Sequence, residues 1–381
     1  MSADAWTAVS ARRIVAGVLW LFVCGFLPLV ALYYVFGPVA TGGAQAPDFH
    51  FAYYPAAEAI LAGEEFYPTH GFVVRGEQEL VVDYVYPPLT AIATIPWTVV
   101  PVGAAEVVFM CLLAVAFVAT LAVLGVRDWR CYGLAFLWPP VTDAVSTGNV
   151  TILLGLAAAL VWRFRDRPLA GGASLGVSIA TKIFLWPLTI WLAATRRLAA
   201  AIWSLAIAAA LLLVTWGAIG FRGMGEYPDL VHRLSQRMDE RSYSVYALGL
   251  DLGVPPVAAR VLWLALAIAI LAATVLVARR GDERRAFVLA LTAAIACSPI
   301  VWLHYFALLL VIVAVTQPRL RPVWFIGLPM QVFVTTGVYN GSTFQTAAML
   351  ATAAFTVALA LGWPARELRQ SSTRSPAAAR P

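Results

Sequence analysis

The chain has 381 residues, of which 61% are hydrophobic and only 12% charged, with a mean hydropathy of +0.82. Too little polar surface is available to coat a soluble globule of that size, so the composition excludes one and predicts an all-α polytopic membrane protein. The net charge of +6 and pI near 9.3 do not point to nucleic acid, because the basic residues are scattered at the ends of apolar segments rather than gathered in a stripe.

In chain order, the apolar segments at about 14–36, 103–126, 131–147, 149–162, 170–194, 198–220, 260–278, 286–301, 303–316, 322–339 and 344–363 are candidate spans, several of them shorter than the roughly 20 residues a full crossing needs. The first run is longer than the apolar core of a signal peptide and is expected to remain as an uncleaved span, despite the small-x-small pattern of "GAQA" after it. Arg12 and Arg13 before it, Arg127 and Arg130, and Arg163, Arg165 and Arg167 all suit the cytoplasmic side. A single crossing by 170–194 would export Arg196 and Arg197 and every later Arg cluster. Two half-length helices meeting near Lys182, with Pro187 loosening the second, keep them inside. That choice predicts about 12 crossings in one membrane domain, 1–369. Both termini are then cytoplasmic, and the tail at 370–381, rich in Ser, Pro, Ala and Arg, is expected to be disordered.

Two long loops then face outward, at about 37–102 and 221–259. In the first, Pro47 and Asp48 open a helix-compatible run that Gly63 can close, and "YPPLTAIATIPW" is too short to span; both read as helices lying along the membrane surface. Its tyrosines, Tyr53, Tyr54, Tyr67, Tyr84 and Tyr86, suit an interfacial aromatic belt. Glu58, Glu64 and Glu65 read as a solvated face.

Polar residues deep in apolar runs are few: Glu106, Asp143, Asn149, Lys182, His304 and Asn340. Such groups are functional candidates by default. All but Glu106 fall toward the outer ends of their segments, on the side of Asp48. Asp48 and four of these six have a plainer reading. Asp48 can be an N-cap worth about 1 kcal/mol, Asp143 and Asn149 can cap helices at a tight turn, Lys182 can snorkel to headgroups, and His304 can be a packing residue. Lys182 is nonetheless the one lysine among 26 basic residues and sits at the predicted hinge, which favours a phosphate ligand. The four cysteines lack metal or disulfide spacing, no tight Asp-x-Asp pair is present, and neither a metal nor another cofactor is expected.

Taken together, "PDFHFAYYPAAEAILAGEEFYP", "YVYPPLTAIATIPW", "STGNVTILL", "GVSIATKIFLWPLTIWLAATRR" and "SPIVWLHYFALLL" resemble glycosyltransferase family 87 over roughly 48–315. The resemblance implies the C-type integral-membrane glycosyltransferase fold. It also implies transfer of a sugar, as in mycobacterial mannosyltransferases, from a polyprenyl-phosphate donor to a glycolipid or glycan acceptor of the cell envelope, outside the plasma membrane. It maps the catalytic base onto Asp48 and the donor-phosphate ligands onto Lys182 and His304. Tyr54, Tyr86 and Asn149 are weaker candidates for substrate contact. A secondary transporter or lipid-linked sugar flippase would use the same broken hairpin, but a paired repeat is expected of one. A polysaccharide polymerase or ligase would use a diphosphate-linked donor, for which Arg222, Arg233, Arg237 and Arg241 in the second loop are candidates. The partners expected are thus the lipid-borne donor, the acceptor and membrane lipid, without nucleic acid.

Overall fold

The structure is a computed structural model that describes residues 3–68, 74–75, 80–81, 83–237, 242–333 and 342–362. Asn340, Arg241 and the 370–381 tail lie outside the described residues. Among the described residues the chain is helical, apart from a hairpin of β1 (Val74–Arg75) and β2 (Leu80–Val81).

Helix α1 (Ala3–Leu21) continues through a π-helical turn into α2 (Leu27–Ala40). A second π-helical turn, Asp48–Tyr53, leads into α3 (Tyr54–Ala62), which stops at Gly63 in the left-handed region, φ 73°. Then come α4 (Pro88–Thr94), α5 (Val102–Val123), α6 (Trp129–Phe136), α7 (Pro139–Ser146), α8 (Thr151–Phe164), α9 (Pro168–Thr181), α10 (Pro187–Ala194) and α11 (Leu198–Ala218). The second long loop folds as α12 (Tyr227–Arg237) and α13 (Val245–Asp251). The chain continues through α14 (Pro256–Arg279), α15 (Glu283–Ala296), α16 (Leu308–Thr316), α17 (Gly327–Phe333) and α18 (Thr343–Gly362).

Among the described residues, five helical stretches are long and apolar enough to cross a bilayer: Arg12–Ala40, Val102–Val123, Leu198–Ala218, Pro256–Arg279 and Thr343–Gly362. α7 and α8, bent by 118° at their junction, make a sixth if counted together. Helix length thus supports five or six crossings where the apolar segments suggest twelve. The difference has a physical cause. A helix of 14 residues, such as α8, α9 or α15, is only about 21 Å long at 1.5 Å per residue. Its apolar character also serves burial inside the protein: every residue of α16 is buried. By contrast, Leu19, Leu29, Ile202, Leu213, Leu262 and Ile268 on the long helices are widely exposed. That much outward apolar surface is at home only in lipid.

The segment 168–194 returns to the end from which it starts. Asp166, just before α9, pairs with Arg197, just after α10, at 2.7 Å, and Glu283 receives both Arg197 (2.9 Å) and Arg165. The packing of α9 agrees, because Gly172 lies against Ala200 and Trp203 while Gly176 lies against Ser204 and Ile207. α9 and α11 therefore run in the same direction, and α10 must bring the chain back. Lys182 stands at the turn of this hairpin. Pro187 does not loosen the second half-helix; it begins α10, where a missing N–H costs nothing.

Gly172 and Gly176 form a small-xxx-small stripe that lets two backbones touch. A Cβ at Gly176 would sit 2.8 Å from the Ser204 carbonyl oxygen, which a helix backbone cannot yield. Gly176→Val is expected to lower the melting temperature in detergent and the yield of monodisperse protein, at an overpacking cost of about 1–3 kcal/mol. Gly17→Ala, in open space on α1, is the control expected to leave both unchanged.

The two long loops close over each other. Tyr227 Oη donates to the Val85 carbonyl at 3.1 Å and Arg233 Nη2 to that of Pro68 at 3.2 Å. Tyr53, Tyr54, Tyr67, Tyr84 and Tyr86 are all buried, so they form a packed cluster rather than a lipid-facing belt. Glu58, Glu64 and Glu65 are exposed, as a solvated face should be.

Candidate active site

The turn "STGNV" between α7 and α8 organises the site. α7 ends in a paired set of backbone bonds, Gly148 N to Val145 O (3.1 Å) and Asn149 N to Ala144 O (2.9 Å), the pattern in which the first residue past the cap is left-handed. Gly148 has φ 68°. A side chain there would be strained by backbone and space alike, because its Cβ would meet the Phe49 Cβ at 2.9 Å. The glycine thus admits the π-helical turn bearing Asp48, whose N–H donates to the Thr147 carbonyl at 2.9 Å.

Asn149 follows immediately, almost fully buried, and its orientation is fixed at both ends. Its Oδ1 accepts from the Thr151 N–H (2.8 Å) and the Thr151 hydroxyl (2.6 Å) at the start of α8. Its amide nitrogen must therefore face the other way, where it donates to Asp48 Oδ2 at 2.7 Å and lies 3.1 Å from the Tyr86 hydroxyl. Asp48 is not the N-cap of its own helix: Pro47 holds that position, Asp48 is the first residue of the turn, and its carboxylate reaches across to Asn149.

Beyond Tyr86 lies Lys182. Its Nζ is 5.0 Å from the Tyr86 ring centre and 4.1 Å from that of Tyr305, so the ammonium rests between two aromatic faces. That nitrogen is buried without any hydrogen-bond partner. His304, on the 3₁₀ turn Leu303–Ala307 before α16, places Nδ1 3.3 Å from Asp143 Oδ2. That contact puts the Nδ1 proton on the carboxylate side and leaves Nε2, also buried, without a partner. Lys182 Nζ therefore has unmet donor capacity, and His304 Nε2 adds a second donor in the same region when the ring carries both protons, an arrangement that a bound anion completes.

Asp48 belongs to the same electrostatic unit. Burial raises its carboxyl pKa above the ordinary range, while His304, the Asn149 hydrogen bond and Lys182 pull it back and Asp143 adds a further upward push. The enclosed carboxylate is consequently a stronger base than one in water.

Of the residues singled out in the sequence, the structure brings together Asp48, Tyr86, Asn149, Lys182 and His304, with Asp143 behind the histidine. Tyr54 is not among them; its hydroxyl is committed to the Val100 carbonyl at 2.8 Å. Two further residues join the site without a distinctive sequence signal. Tyr305 floors the lysine site, with adjacency to His304 as its only mark. Tyr53, one tyrosine of five in its loop, is fully buried and packs edge-on to Tyr86, 5.2 Å between ring centres. Among the described residues no group of three His, Cys, Asp or Glu side chains is placed to hold a metal ion.

Glycosyltransferase family 87 matches the chain over residues 84–303, more than half its length. Tyr86, Asn149 and Lys182 fall inside the match, His304 directly follows it, and Asp48 precedes it. No curated protein and no solved structure shows a significant match. That match over more than half of the chain, on a scaffold of long apolar helices, places the chain in glycosyltransferase family 87, as a membrane glycosyltransferase.

Proposed function

We propose that the protein transfers a sugar, mannose in the first instance, from a polyprenyl-phosphate donor to a cell-envelope glycolipid or glycan acceptor at the outer surface of the plasma membrane, with inversion at the anomeric carbon. The observation that carries the reading is the convergence of Lys182 Nζ and His304 Nε2, both buried and partnerless, beside the carboxylate of Asp48. A lipid-borne sugar phosphate needs such a pair: cations for the phosphate and a base for the acceptor.

In this mechanism the acceptor hydroxyl gives its proton to Asp48 as its oxygen bonds to the anomeric carbon. The bond from that carbon to the phosphate oxygen breaks, and the electron pair leaves with the polyprenyl phosphate. Lys182 and His304 neutralise the charge that grows there. Asn149 holds Asp48 Oδ2, so Oδ1 takes the proton, and the negative carboxylate also stabilises the positive charge on the sugar ring. A single carboxylate base, without a second nucleophile, suits one direct displacement.

The sidedness follows from the arginines. Arg165 and Arg197 gather with Asp166 and Glu283 at the base of the α9–α10 hairpin, while Lys182 lies at its turn. If the arginine-rich end is cytoplasmic, the site opens outside.

Membranes containing the protein are expected to form glycosylated lipid from radiolabelled polyprenyl-phosphate mannose, with activity surviving EDTA because Lys182 and His304 supply the positive charge. Labelled nucleotide sugar should give no product. Transfer from the nucleotide donor alone, or uptake of label into vesicles without a covalent product, rejects the reading.

A further inference from the structure

Two acids are buried among the described residues, Asp143 and Glu106, and each touches a histidine. The first pair belongs to the site above. The second does not, and its placement is unusual. Glu106 lies in the first turns of α5, inside an apolar segment otherwise suited to span the membrane, where a carboxylate is costly without partners. Its proximity to the helix N-terminus offsets some of that cost, and two hydrogen bonds offset more. A single oxygen, Oε2, accepts both: the Ala46 N–H at 3.2 Å and His50 Nδ1 at 2.9 Å.

Those two partners bracket Pro47 and Asp48. Residues 48 and 50 project from nearly opposite faces of a helical turn, so His50 is gripped from behind while the Asp48 carboxylate faces Asn149. On the other side the Asp48 N–H is tied to the Thr147 carbonyl, and the His50 N–H to that of Ala46, at 2.7 Å. Pro47 has no N–H to contribute. The turn is held to the rest of the fold by Glu106 on one flank and the "STGNV" turn on the other.

We infer that Glu106, through Ala46 and His50, is a positioning residue that sets the depth and orientation of the Asp48 carboxylate against the donor. The inference rests on Asp48 acting as the base in the proposed transfer. A displacement of about 1 Å at a reacting group can lower a rate about 100-fold, and a carboxylate clasp across two segments of chain is a means of preventing it.

The test compares Glu106→Ala and Glu106→Gln in the full-length protein, with kcat and donor KM measured per folded molecule after monodispersity is confirmed. Glutamine retains one carbonyl oxygen that can accept both bonds, so Glu106→Gln is expected to stay within about threefold of wild type. Alanine retains none, and its kcat is expected to fall about 100-fold with donor KM little changed. In the background of Asp48→Asn, Glu106→Ala should cause no further loss, because a base already absent cannot be misplaced. Full kcat in Glu106→Ala per folded molecule, equal damage by Gln and Ala, or an undiminished additional loss in the double variant each overturns the positioning role. If Asp48→Asn itself remains active, it is the mechanism beneath this inference that fails, which separates the two cases.

Discussion

Asp48→Asn is expected to reduce sugar transfer by about 10²–10⁴-fold, the usual worth of a positioned general base, while leaving the protein folded and no less stable. The substitution is nearly isosteric, and the amide oxygen it introduces can still accept the bond that Asn149 donates to the carboxylate. What it removes is a charge in an enclosed place. Because burial raises the Asp48 pKa above its unfolded value, this group favours the fold at pH below the unfolded carboxylate pKa, and that contribution is lost as pH rises through the folded pKa. At neutral pH the ionised carboxylate is therefore a net cost, and the uncharged amide is free of it. A thermal melt at pH 7 should show the variant at or above the wild-type midpoint. The same raised pKa predicts that kcat/KM of the wild type falls as pH drops into the range above that of an ordinary aspartate, where Asp48 takes up a proton and ceases to be a base. Undiminished turnover by Asp48→Asn rejects the base assignment. A parallel collapse in melting temperature would make Asp48 structural instead.

The sequence made the chemistry of the site more legible than its architecture, and the reason lies in how scarce each signal is. In a chain so apolar, a lone lysine or an acid beside tyrosines stands out, and apolar segments ending on one side gather such residues without any knowledge of packing. The hairpin around Lys182 was legible for the same reason: the arginines at both its ends had to share a side, and in the structure they share Asp166 and Glu283. The number of crossings was not legible. Hydropathy does not distinguish a segment apolar because lipid surrounds it from one apolar because protein does, and α16 is wholly of the second kind. Nor could local sequence decide what Asp48 does with its carboxylate. An N-cap and an interhelical acceptor look alike until Asn149, 101 positions away, is brought within 2.7 Å. Nothing in the sequence separates Tyr54 from its neighbour Tyr53 as a substrate contact, and the helical turn sends the Tyr54 hydroxyl to Val100 instead.

Lys182→Met is expected to separate activity from stability in opposite directions. The ammonium is buried, has no hydrogen-bond acceptor, and is supported by the faces of Tyr86 and Tyr305 and, at longer range, by the Asp48 charge. Cation–π contacts of this kind are worth about 2 kcal/mol when desolvated, less than the several kcal/mol that taking a charge from water costs. Methionine fills similar space between two aromatic rings without that charge, so the empty protein should melt higher. With donor the order should reverse. A phosphate seated against Lys182 supplies the missing acceptor, and its binding stabilises the folded state by mass action. Added polyprenyl phosphate is therefore expected to raise the melting temperature of the wild type and to leave Lys182→Met nearly unmoved. Loss of the cation that meets the developing charge on the leaving group should lower kcat/KM about 10²–10³-fold, comparable to removing one donor from an oxyanion site. Lys182→Arg should restore little, because a guanidinium presents its donors in a fixed planar fork rather than as the compact point charge seated against Tyr86 and Tyr305. A variant that melts lower than wild type yet keeps its activity and its response to polyprenyl phosphate would assign Lys182 to packing, and the phosphate would have to be held elsewhere.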